Sequence, residues 1–171
     1  MDSLKQELYF YQFKVPAPIK TITLVASNSA LLELNFGRFS QAAPKIECKK
    51  TSNKIIRSAE AQLLKYFDGR LKIFDIPLNP QGSIFQKAAW GILEKIPYGK
   101  TISYKEEALK MGSSNYSRAI GQANGKNPIA IIIPCHRVIA SDGSMGGYSG
   151  GLAVKRFLLD LESNATENEA L

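Results

Sequence analysis

The chain has 171 residues, of which 44% are hydrophobic and 22% are charged, and its formal net charge is +7. This length suits one domain or two small ones, and two cysteines with a single histidine exclude a disulfide framework and make a structural zinc site improbable. The basic balance permits nucleic acid binding, but it fits a lysine-rich solvated surface equally well.

No stretch has the character of a membrane span or a secretion signal. The longest apolar run, Ile129 to Pro134, is too short to cross a bilayer, and the first residues lack an apolar signal core. We therefore expect a protein of a reducing, intracellular compartment without membrane contact. That compartment would be the cytoplasm, or the nucleus in a eukaryote.

The first third of the chain alternates apolar and polar residues, as half-buried strands do. Glu7 to Lys14, Thr21 to Ala26 and Leu31 to Phe36 each predict a short strand, with proline, serine and glycine in the breaks. Apolar residues then recur at helical spacing from Ile55 to Phe67, and Gly69 follows as a helix end. The pattern predicts a small antiparallel meander and one helix.

A linker separates this segment from the rest. Pro77 to Gly82 holds two prolines and a glycine in six residues. We place a domain boundary there, which gives domains at residues 1–78 and 82–171. Beyond it, serine capping boxes at Ser83 and Ser103 predict the starts of two helices, so the second half is mainly helical.

Two short helices follow one another in this second half. The helix from Ser103 ends near Gly112, and a second helix is expected over Tyr116 to Asn124. The pair is a helix-turn-helix candidate, although paired short helices are also common in helical cores. Small residues on the second helix would let its backbone approach a groove closely. These are Ala119, Gly121, Ala123 and Gly125, and the polar residues among them are Arg118, Gln122, Asn124 and Lys126.

The most distinctive segment is Pro134-Cys135-His136-Arg137. His136 is the only histidine of the chain, and Cys135 is one of two cysteines. A thiol becomes a good nucleophile as thiolate, and an adjacent imidazole and guanidinium would favour that form. The alternative is a small buried cysteine without chemistry.

A glycine-rich loop from Met145 to Gly151 precedes the last helix. Its four glycines in seven residues fit a phosphate-cradling loop or a loop around a small flat ligand. We favour the second, because the P-loop lysine-serine signature is absent. The helix is expected from Leu152 to Glu162, followed by a frayed tail from Ser163. Its apolar stripe comprises Leu152, Phe157, Leu158 and Leu161.

Several stretches, taken in this order and at this spacing, resemble the O6-alkylguanine-DNA alkyltransferases, the methylated-DNA–protein-cysteine methyltransferases. They are Pro77-Leu78 through Phe85-Gln86, Ile96-Pro97-Tyr98-Gly99, Ser103-Tyr104, Ser117-Arg118-Ala119-Ile120-Gly121, Asn127-Pro128, Ile133-Pro134-Cys135-His136-Arg137-Val138 and Gly147-Tyr148-Ser149-Gly150-Gly151-Leu152. The resemblance is looser over residues 1–75. It implies an α+β protein: an N-terminal ribonuclease-H-like α/β domain with a small antiparallel sheet, and a C-terminal, mainly α domain with a helix-turn-helix.

The resemblance also implies an activity. This is DNA repair by direct, irreversible and stoichiometric transfer of an alkyl group from O6-alkylguanine, and more weakly from O4-alkylthymine, to Cys135. The protein would be a single-turnover methyltransferase that flips the damaged nucleotide out of double-stranded DNA. It would act as a monomer, with no cofactor and no metal.

Catalytic roles are implied position by position. Cys135 would accept the alkyl group, and His136 would act as its base through a water. Neighbouring side chains of an extended segment point to opposite faces, which makes a direct hydrogen bond between the two awkward. Glu162 would orient the imidazole, and Asn127 would support the active-site turn. Tyr104 would donate to guanine N3. The alternatives are a core tyrosine for Tyr104 and a solvated helix end for Glu162.

The remaining implied residues bind DNA or the flipped base. Arg118 would fill the gap that the flipped nucleotide leaves. The DNA-binding set comprises Ser117, Arg118, Ala119, Gln122, Asn124, Lys126 and Arg137. The substrate pocket would be lined by Met145, Gly146, Tyr148 and Ser149.

Three other functions stay open. Alkyltransferase-like proteins bind the same lesions without an acceptor cysteine, and the presence of Cys135 opposes that assignment. A cysteine hydrolase or redox thiol protein would need only the Cys135-His136 pair and would leave the helix-turn-helix unexplained. In a plain DNA-binding regulator the cysteine would be inert.

Overall fold

The computed structural model describes residues 7–37 and 48–167. Its contacts divide the chain into two compact units between Pro80 and Gln81. Within the described residues, no helix is long and apolar enough to span a membrane. The α+β class predicted from the sequence is confirmed, with the main sheet in the first unit and a mainly helical second unit.

The N-terminal unit is built on a four-stranded sheet with the order β3-β2-β1-β4. Its strands are β1 (Leu8–Lys14), β2 (Thr21–Ala26), β3 (Leu31–Phe36) and β4 (Cys48–Lys50). The three predicted strands pair antiparallel, whereas β4 runs parallel to β1 and is absent from the prediction. Three residues with two lysines give no alternating pattern, so only the pairing with β1 reveals this strand.

Helix α1 (Lys54–Phe67) packs against this sheet. The side-chain oxygen of Asn53 caps it by accepting from the backbone N–H of Ile56. The buried residues of the helix are Ile56, Ala59, Leu63, Tyr66 and Phe67. The buried stripe therefore begins at Ile56 rather than at Ile55. Gly69 follows in the left-handed conformation, with a φ of 71°, as a helix end of this kind requires.

The C-terminal unit joins four helices to a two-stranded parallel sheet within the described residues. In chain order its elements are α2 (Ile84–Leu93), β5 (Ile102–Ser103), α3 (Tyr104–Lys110), α4 (Ser117–Gly125), β6 (Val138–Ile139) and α5 (Leu152–Glu167). Both predicted capping boxes are present, at Ser83 and at Ser103. In each box, the serine hydroxyl accepts from the backbone N–H three residues on, and the side chain of that residue accepts from the backbone N–H of the serine. These two bonds fix the starts of α2 and α3.

Helices α3 and α4 form the predicted helix-turn-helix. A single 3-10 turn, Ser114–Tyr116, lies in the connection, so the second helix begins at Ser117 rather than at Tyr116. Buried apolar residues pack α2, α3 and α4 together, namely Ala89, Ala108, Ile120 and Ala123. The indole N–H of Trp90 donates to the carbonyl of Ala123 at 2.9 Å and fastens α2 to α4.

The last helix begins at Leu152 as predicted but differs from the prediction in its end and in its apolar stripe. It continues to Glu167 instead of ending at Glu162, because no glycine or proline interrupts the backbone after Ser163. At its start, Leu152 is 51% exposed and Val154 is buried instead. The predicted apolar stripe is therefore wrong at Leu152.

Candidate active site

A cavity of about 570 Å³ opens in the C-terminal unit beside the helix-turn-helix. This volume lies within the range of small-molecule sites. Its wall comes from α3, α4, the turn at Cys135 and the glycine-rich loop. The lining residues are Tyr104, Ser117, Arg118, Gly121, Asn124, Gly125, Cys135, Gly147, Tyr148 and Ser149. The fold thus brings seven of the sixteen predicted site residues to one cavity.

Cys135 ends the buried apolar run from Ile129 to Pro134. The run is an irregular turn, and Ile131 has a φ of 72°, a strained value for a β-branched residue. Asn127 holds the turn: its Nδ2 donates to the carbonyl of Ile133 at 2.7 Å and to Cys135 Sγ at 3.2 Å, while its Oδ1 accepts from the backbone N–H two residues on. The amide therefore fixes the sulfur at the cavity wall.

The sulfur is buried in the resting protein. Cys135 is 3% exposed, and burial raises the pKa of its thiol to about 11, although the Asn127 hydrogen bond and the Lys155 charge act in the opposite direction. The thiol is therefore protonated at neutral pH. The expectation that the Arg137 guanidinium favours the thiolate is wrong, because that group is bonded elsewhere.

His136 is directed to Glu162, with 2.8 Å between Nε2 and Oε1. An ionised carboxylate only accepts, so Nε2 carries the proton and Nδ1 keeps a lone pair. Nδ1 is buried and has no hydrogen-bond partner among the described residues. Burial lowers the pKa of His136, so its imidazole is neutral and Nδ1 is available as a base. Cys135–Arg137 form a 3-10 turn, not the expected extended segment.

Glu162 is buried and accepts hydrogen bonds from several N–H groups. Nε and Nη2 of Arg137 each donate to one of its oxygens at 2.9 Å, and the backbone N–H of Gly99 donates at 3.0 Å. Burial alone would raise the pKa of Glu162, but the hydrogen bonds and charges of His136 and Arg137 hold it below its usual range. The carboxylate is therefore ionised and fixed in place, and it is not a solvated helix end.

The side chain of Arg137, which was predicted to contact DNA, is directed into the protein. Besides its two bonds to Glu162, the guanidinium donates from Nη1 to the carbonyl of Ile96 at 2.6 Å. Its Cζ lies 5.7 Å from the ring centre of Tyr98, and the side chain is 7% exposed. Arg137 is thus the interior counter-charge of Glu162, since its guanidinium faces the protein and not solvent.

Lys155 is a site residue that the sequence analysis missed. Its side chain is fully buried on α5. Its Nζ donates to the carbonyl of Val138 at 2.6 Å and to that of Met145, with a longer contact of 3.4 Å to Gly147. The ammonium group therefore ties the glycine-rich loop to α5. Met145 supplies its carbonyl to this contact and is not among the cavity-lining residues.

The phenol of Tyr104 packs on the glycine-rich loop. Its hydroxyl lies 3.4 Å from the carbonyl of Gly147, and the Lys155 ammonium lies 5.8 Å from its ring centre. Gly146 has a φ of 63°, and a Cβ there would lie 2.9 Å from the ring, so this position accepts only glycine. Burial raises the pKa of Tyr104, so the phenol keeps its proton.

The predicted DNA-contacting residues of α4 are mostly accessible. The exposed or half-buried ones are Ser117, Arg118, Ala119, Gln122 and Lys126. Asn124 is the exception, because its side chain is buried and its Nδ2 donates to Oε2 of the buried Glu107 at 2.7 Å. The Asn124 amide thus joins α4 to α3 at the cavity wall, and its side chain does not face solvent as a DNA-contacting side chain would.

The fold and the site define a helix-turn-helix protein with a cysteine in the wall of one cavity, followed in sequence by a buried histidine that is bonded to a glutamate. The family description "6-O-methylguanine DNA methyltransferase, DNA binding domain" matches residues 84–164, and "6-O-methylguanine DNA methyltransferase, ribonuclease-like domain" matches residues 9–80. The chain belongs to the 6-O-methylguanine DNA methyltransferase family. This confirms the resemblance drawn from its motifs.

Individual relatives match over almost the whole chain. The methylated-DNA–protein-cysteine methyltransferase of Methanosarcina barkeri is 47% identical over 154 residues, which cover 88% of this chain and 95% of the relative. The crystal structure of Mycobacterium tuberculosis O6-methylguanine methyltransferase has a TM-score of 0.82 at 38% identity, covering 92% of this chain and 94% of its own. Mycobacterium tuberculosis OGT in complex with DNA gives a TM-score of 0.82 at 39% identity, with the same coverage.

Proposed function

We propose that this chain repairs DNA by moving the alkyl group of O6-alkylguanine irreversibly onto Cys135. The observation that carries the proposal is the position of the sulfur, in the wall of a cavity that the helix-turn-helix also lines. A hydrolase or redox protein would need no such helix pair beside its thiol. A plain regulator would need no buried imidazole next to an inert cysteine. The names of the relatives and the DNA-bound structure agree with the proposal.

The thiol must lose its proton when substrate binds, because it is protonated in the resting protein. Nδ1 of the neutral His136 is the acceptor that the site offers. No direct bond joins Nδ1 to the sulfur, so a water carries the proton between them. The imidazolium that forms is stabilised by the ionised Glu162 at 2.8 Å. Asn127 stabilises the resulting thiolate through its 3.2 Å contact with Sγ.

The transfer itself is a displacement at a saturated carbon. The sulfur attacks the alkyl carbon, the bond from that carbon to O6 breaks, and the electron pair stays on guanine. The phenol of Tyr104 donates a proton to N3, so the base leaves neutral. The phenolate that remains is balanced in charge by the imidazolium of His136, which holds the thiol proton. Tyr148 and Ser149 line the cavity that would receive the base. The family resemblance implies that Ser149 lies near the guanine oxygen. The product is a thioether without a leaving group, so each molecule reacts once.

The reacting carbon lies inside the duplex, so the nucleotide must rotate out of its stack. Arg118 is exposed at the start of α4 and borders the cavity, which suits a side chain that fills the vacated space. Small residues on α4 allow a close approach to the duplex, and Gln122 and Lys126 are exposed for backbone contacts.

The same displacement on O4-alkylthymine should be weaker, because a pyrimidine fills less of a cavity of this size. The step is redox-neutral, and its protons are handled by His136 and Tyr104, so it needs neither a cofactor nor a metal. One chain contributes every group named above, and we propose that a monomer acts in the compartment that holds the DNA.

A stoichiometry experiment tests the function. DNA that carries one O6-methylguanine with a labelled methyl group is incubated with the protein in excess and then in deficit. We expect one label per protein molecule, located on the peptide that contains Cys135, with no further transfer after saturation. Several labels released per molecule, or a label on another residue, would refute the proposal.

Replacing Arg118 with alanine should slow repair of duplex DNA about tenfold, because the vacated stack would be left unfilled. Reaction with a free benzylated guanine base should stay within about twofold, since no base has to be extruded. Single-turnover rates on both substrates measure the difference. Lys126→Ala is the matched control, and it should weaken duplex affinity without changing the rate at saturating DNA. Equal losses on both substrates would contradict the role given to Arg118.

A further inference from the structure

Glu107 is a buried acid that the mechanism above leaves unused. It lies on α3 with no exposed surface, at the contact between the two helices of the helix-turn-helix. Its Oε2 accepts a 2.7 Å hydrogen bond from Nδ2 of Asn124 on α4. No cation pairs with this carboxyl group within the described residues. A buried carboxylate without a counter-charge is costly, so its protonation state needs an explanation.

Two oxygen atoms of the same pair accept no hydrogen bond from the described part of the chain. Oε1 of Glu107 and Oδ1 of Asn124 are both buried and lack a hydrogen-bond partner among the described residues. Both atoms only accept when the acid is ionised. A proton on Oε1 would supply the missing donor and complete a pair of antiparallel hydrogen bonds between acid and amide. Burial raises the pKa of Glu107 to about 7, against the opposing effect of the Asn124 hydrogen bond.

The pair stands next to the reacting groups. Asn124 lines the same cavity as Cys135, and Tyr104 lies one helical turn before Glu107 on α3. A negative charge on Glu107 raises the pKa of both the Cys135 thiol and the Tyr104 phenol. An ionised Glu107 therefore opposes formation of the thiolate, whereas the neutral acid leaves it undisturbed.

The other groups around the pair do not offset this charge directly. Helix α4 contributes the neutral amide already described, and α2 contributes apolar side chains to the adjoining core. Lys155 on α5 acts on Cys135 and faces the Tyr104 ring, and Arg118 on α4 lines the cavity, but neither cation pairs with Glu107. The proton on Glu107 thus decides whether the α3–α4 contact next to the cavity carries a negative charge.

We propose that Glu107 and Asn124 form a neutral acid–amide pair that joins α3 to α4, and that Glu107 acts as a positioning residue whose ionisation slows alkyl transfer. This rests on the proposed function, because it concerns the reactivity of Cys135. Under this proposal, Glu107 must keep its proton for the reaction to proceed, whereas Cys135 must lose its own.

The first test needs no variant and no activity. The side-chain carboxyl carbon of Glu107, assigned through bonds in 13C-labelled protein, should titrate with a midpoint near 7, far above an ordinary glutamate. A midpoint below about 5 would show an ionised carboxylate at neutral pH and overturn the neutral pair. This result stands whether or not the protein transfers alkyl groups.

The second test measures transfer. Glu107→Gln places an uncharged group that can still form two hydrogen bonds with Asn124. The other titratable groups are the same in both proteins, so their effects cancel in the ratio of the wild-type to the variant transfer rate. Between about pH 6 and about pH 9 this ratio should fall about threefold or more with benzylated guanine as substrate. Asp160→Asn, which removes an exposed charge from α5, should leave the ratio flat.

The outcomes separate the two proposals. A flat ratio for Glu107→Gln, with wild-type transfer intact, would remove the positioning role and leave the proposed function standing. Absence of any transfer by the wild type would refute the proposed function, while the carboxyl titration still decides the state of the pair. Thermal midpoints give a further check: the wild type should lose stability relative to Glu107→Gln as the pH rises from about 4.5 to about 7.

Discussion

Replacing Cys135 with serine is expected to reduce alkyl transfer by about a thousandfold or more. Displacement at a saturated carbon depends on the nucleophile itself, and a hydroxyl is a far weaker one than a thiolate. Binding to duplex DNA that contains O6-methylguanine should stay within about twofold, because the accessible residues of α4 are unchanged and Cys135 is 3% exposed. Intact mass after exposure to benzylated guanine and a DNA-binding titration measure the two quantities.

The second thiol of the chain provides the matched control. Cys48 belongs to β4 of the N-terminal unit, and Cys48→Ser should gain the mass of one benzyl group at the wild-type rate. A benzyl adduct on Cys135→Ser, or its loss in Cys48→Ser, would mean that the acceptor is misassigned. A joint loss of transfer and DNA affinity in Cys135→Ser would indicate that the turn had collapsed.

Elements with strong local signals could be predicted from the sequence. The hydroxyls of Ser83 and Ser103 are followed by a glutamine or glutamate at the third position, and both boxes form. Strands β2 and β3 have the predicted bounds because alternation and turn residues act over a few positions. Strand β4 could not be found in this way, since its pairing with β1 is a long-range contact.

The site is less visible than the fold because side-chain direction depends on packing. Cys135, His136 and Arg137 are consecutive, yet the sulfur borders the cavity while the next two side chains both bind Glu162. Because Arg137 is close to Cys135 in sequence, its guanidinium was expected to assist the thiol, but the 3-10 turn directs the two side chains apart. The partner of His136 lies 26 residues away, so spacing could not reveal it.

Two buried charged residues of the C-terminal unit were not predicted from the sequence. Lys155 and Glu107 occur on helices with other charged residues, where charge ordinarily indicates a solvent-facing side. A signal existed for Lys155, because Lys155, Leu158 and Glu162 follow the i, i+3, i+7 spacing of one helix face. Glu107 carried the same signal, because it shares one face of α3 with Tyr104 and Met111, but only its packing against Asn124 shows that it is enclosed.

Glu162→Gln is expected to lower both stability and transfer. A glutamine amide would turn one acceptor into a donor that faces the N–H groups of His136 and Arg137, and it would leave the buried guanidinium without its counter-charge. Breaking a buried ion pair from one side costs about 3–5 kcal/mol in the free energy of unfolding. Loss of the group that stabilises the imidazolium should slow transfer about a hundredfold in the folded variant. Urea unfolding and single-turnover rates at a temperature where both proteins are folded measure these effects.

The pH dependence of the stability difference between wild type and Glu162→Gln distinguishes loss of the carboxylate charge from simple loss of packing. The folded-state pKa of Glu162 lies below the model-compound value of 4.5, so its contribution to stability is present above that pH and is lost as the pH falls toward the folded pKa. The difference in unfolding free energy between wild type and Glu162→Gln should therefore shrink as the pH drops below about 4.5. Asp160→Asn removes an exposed charge from the same helix and should change stability by less than about 0.5 kcal/mol. A stability gap that stays constant through acid pH would mean that the carboxylate charge is not what holds His136 and Arg137 in place.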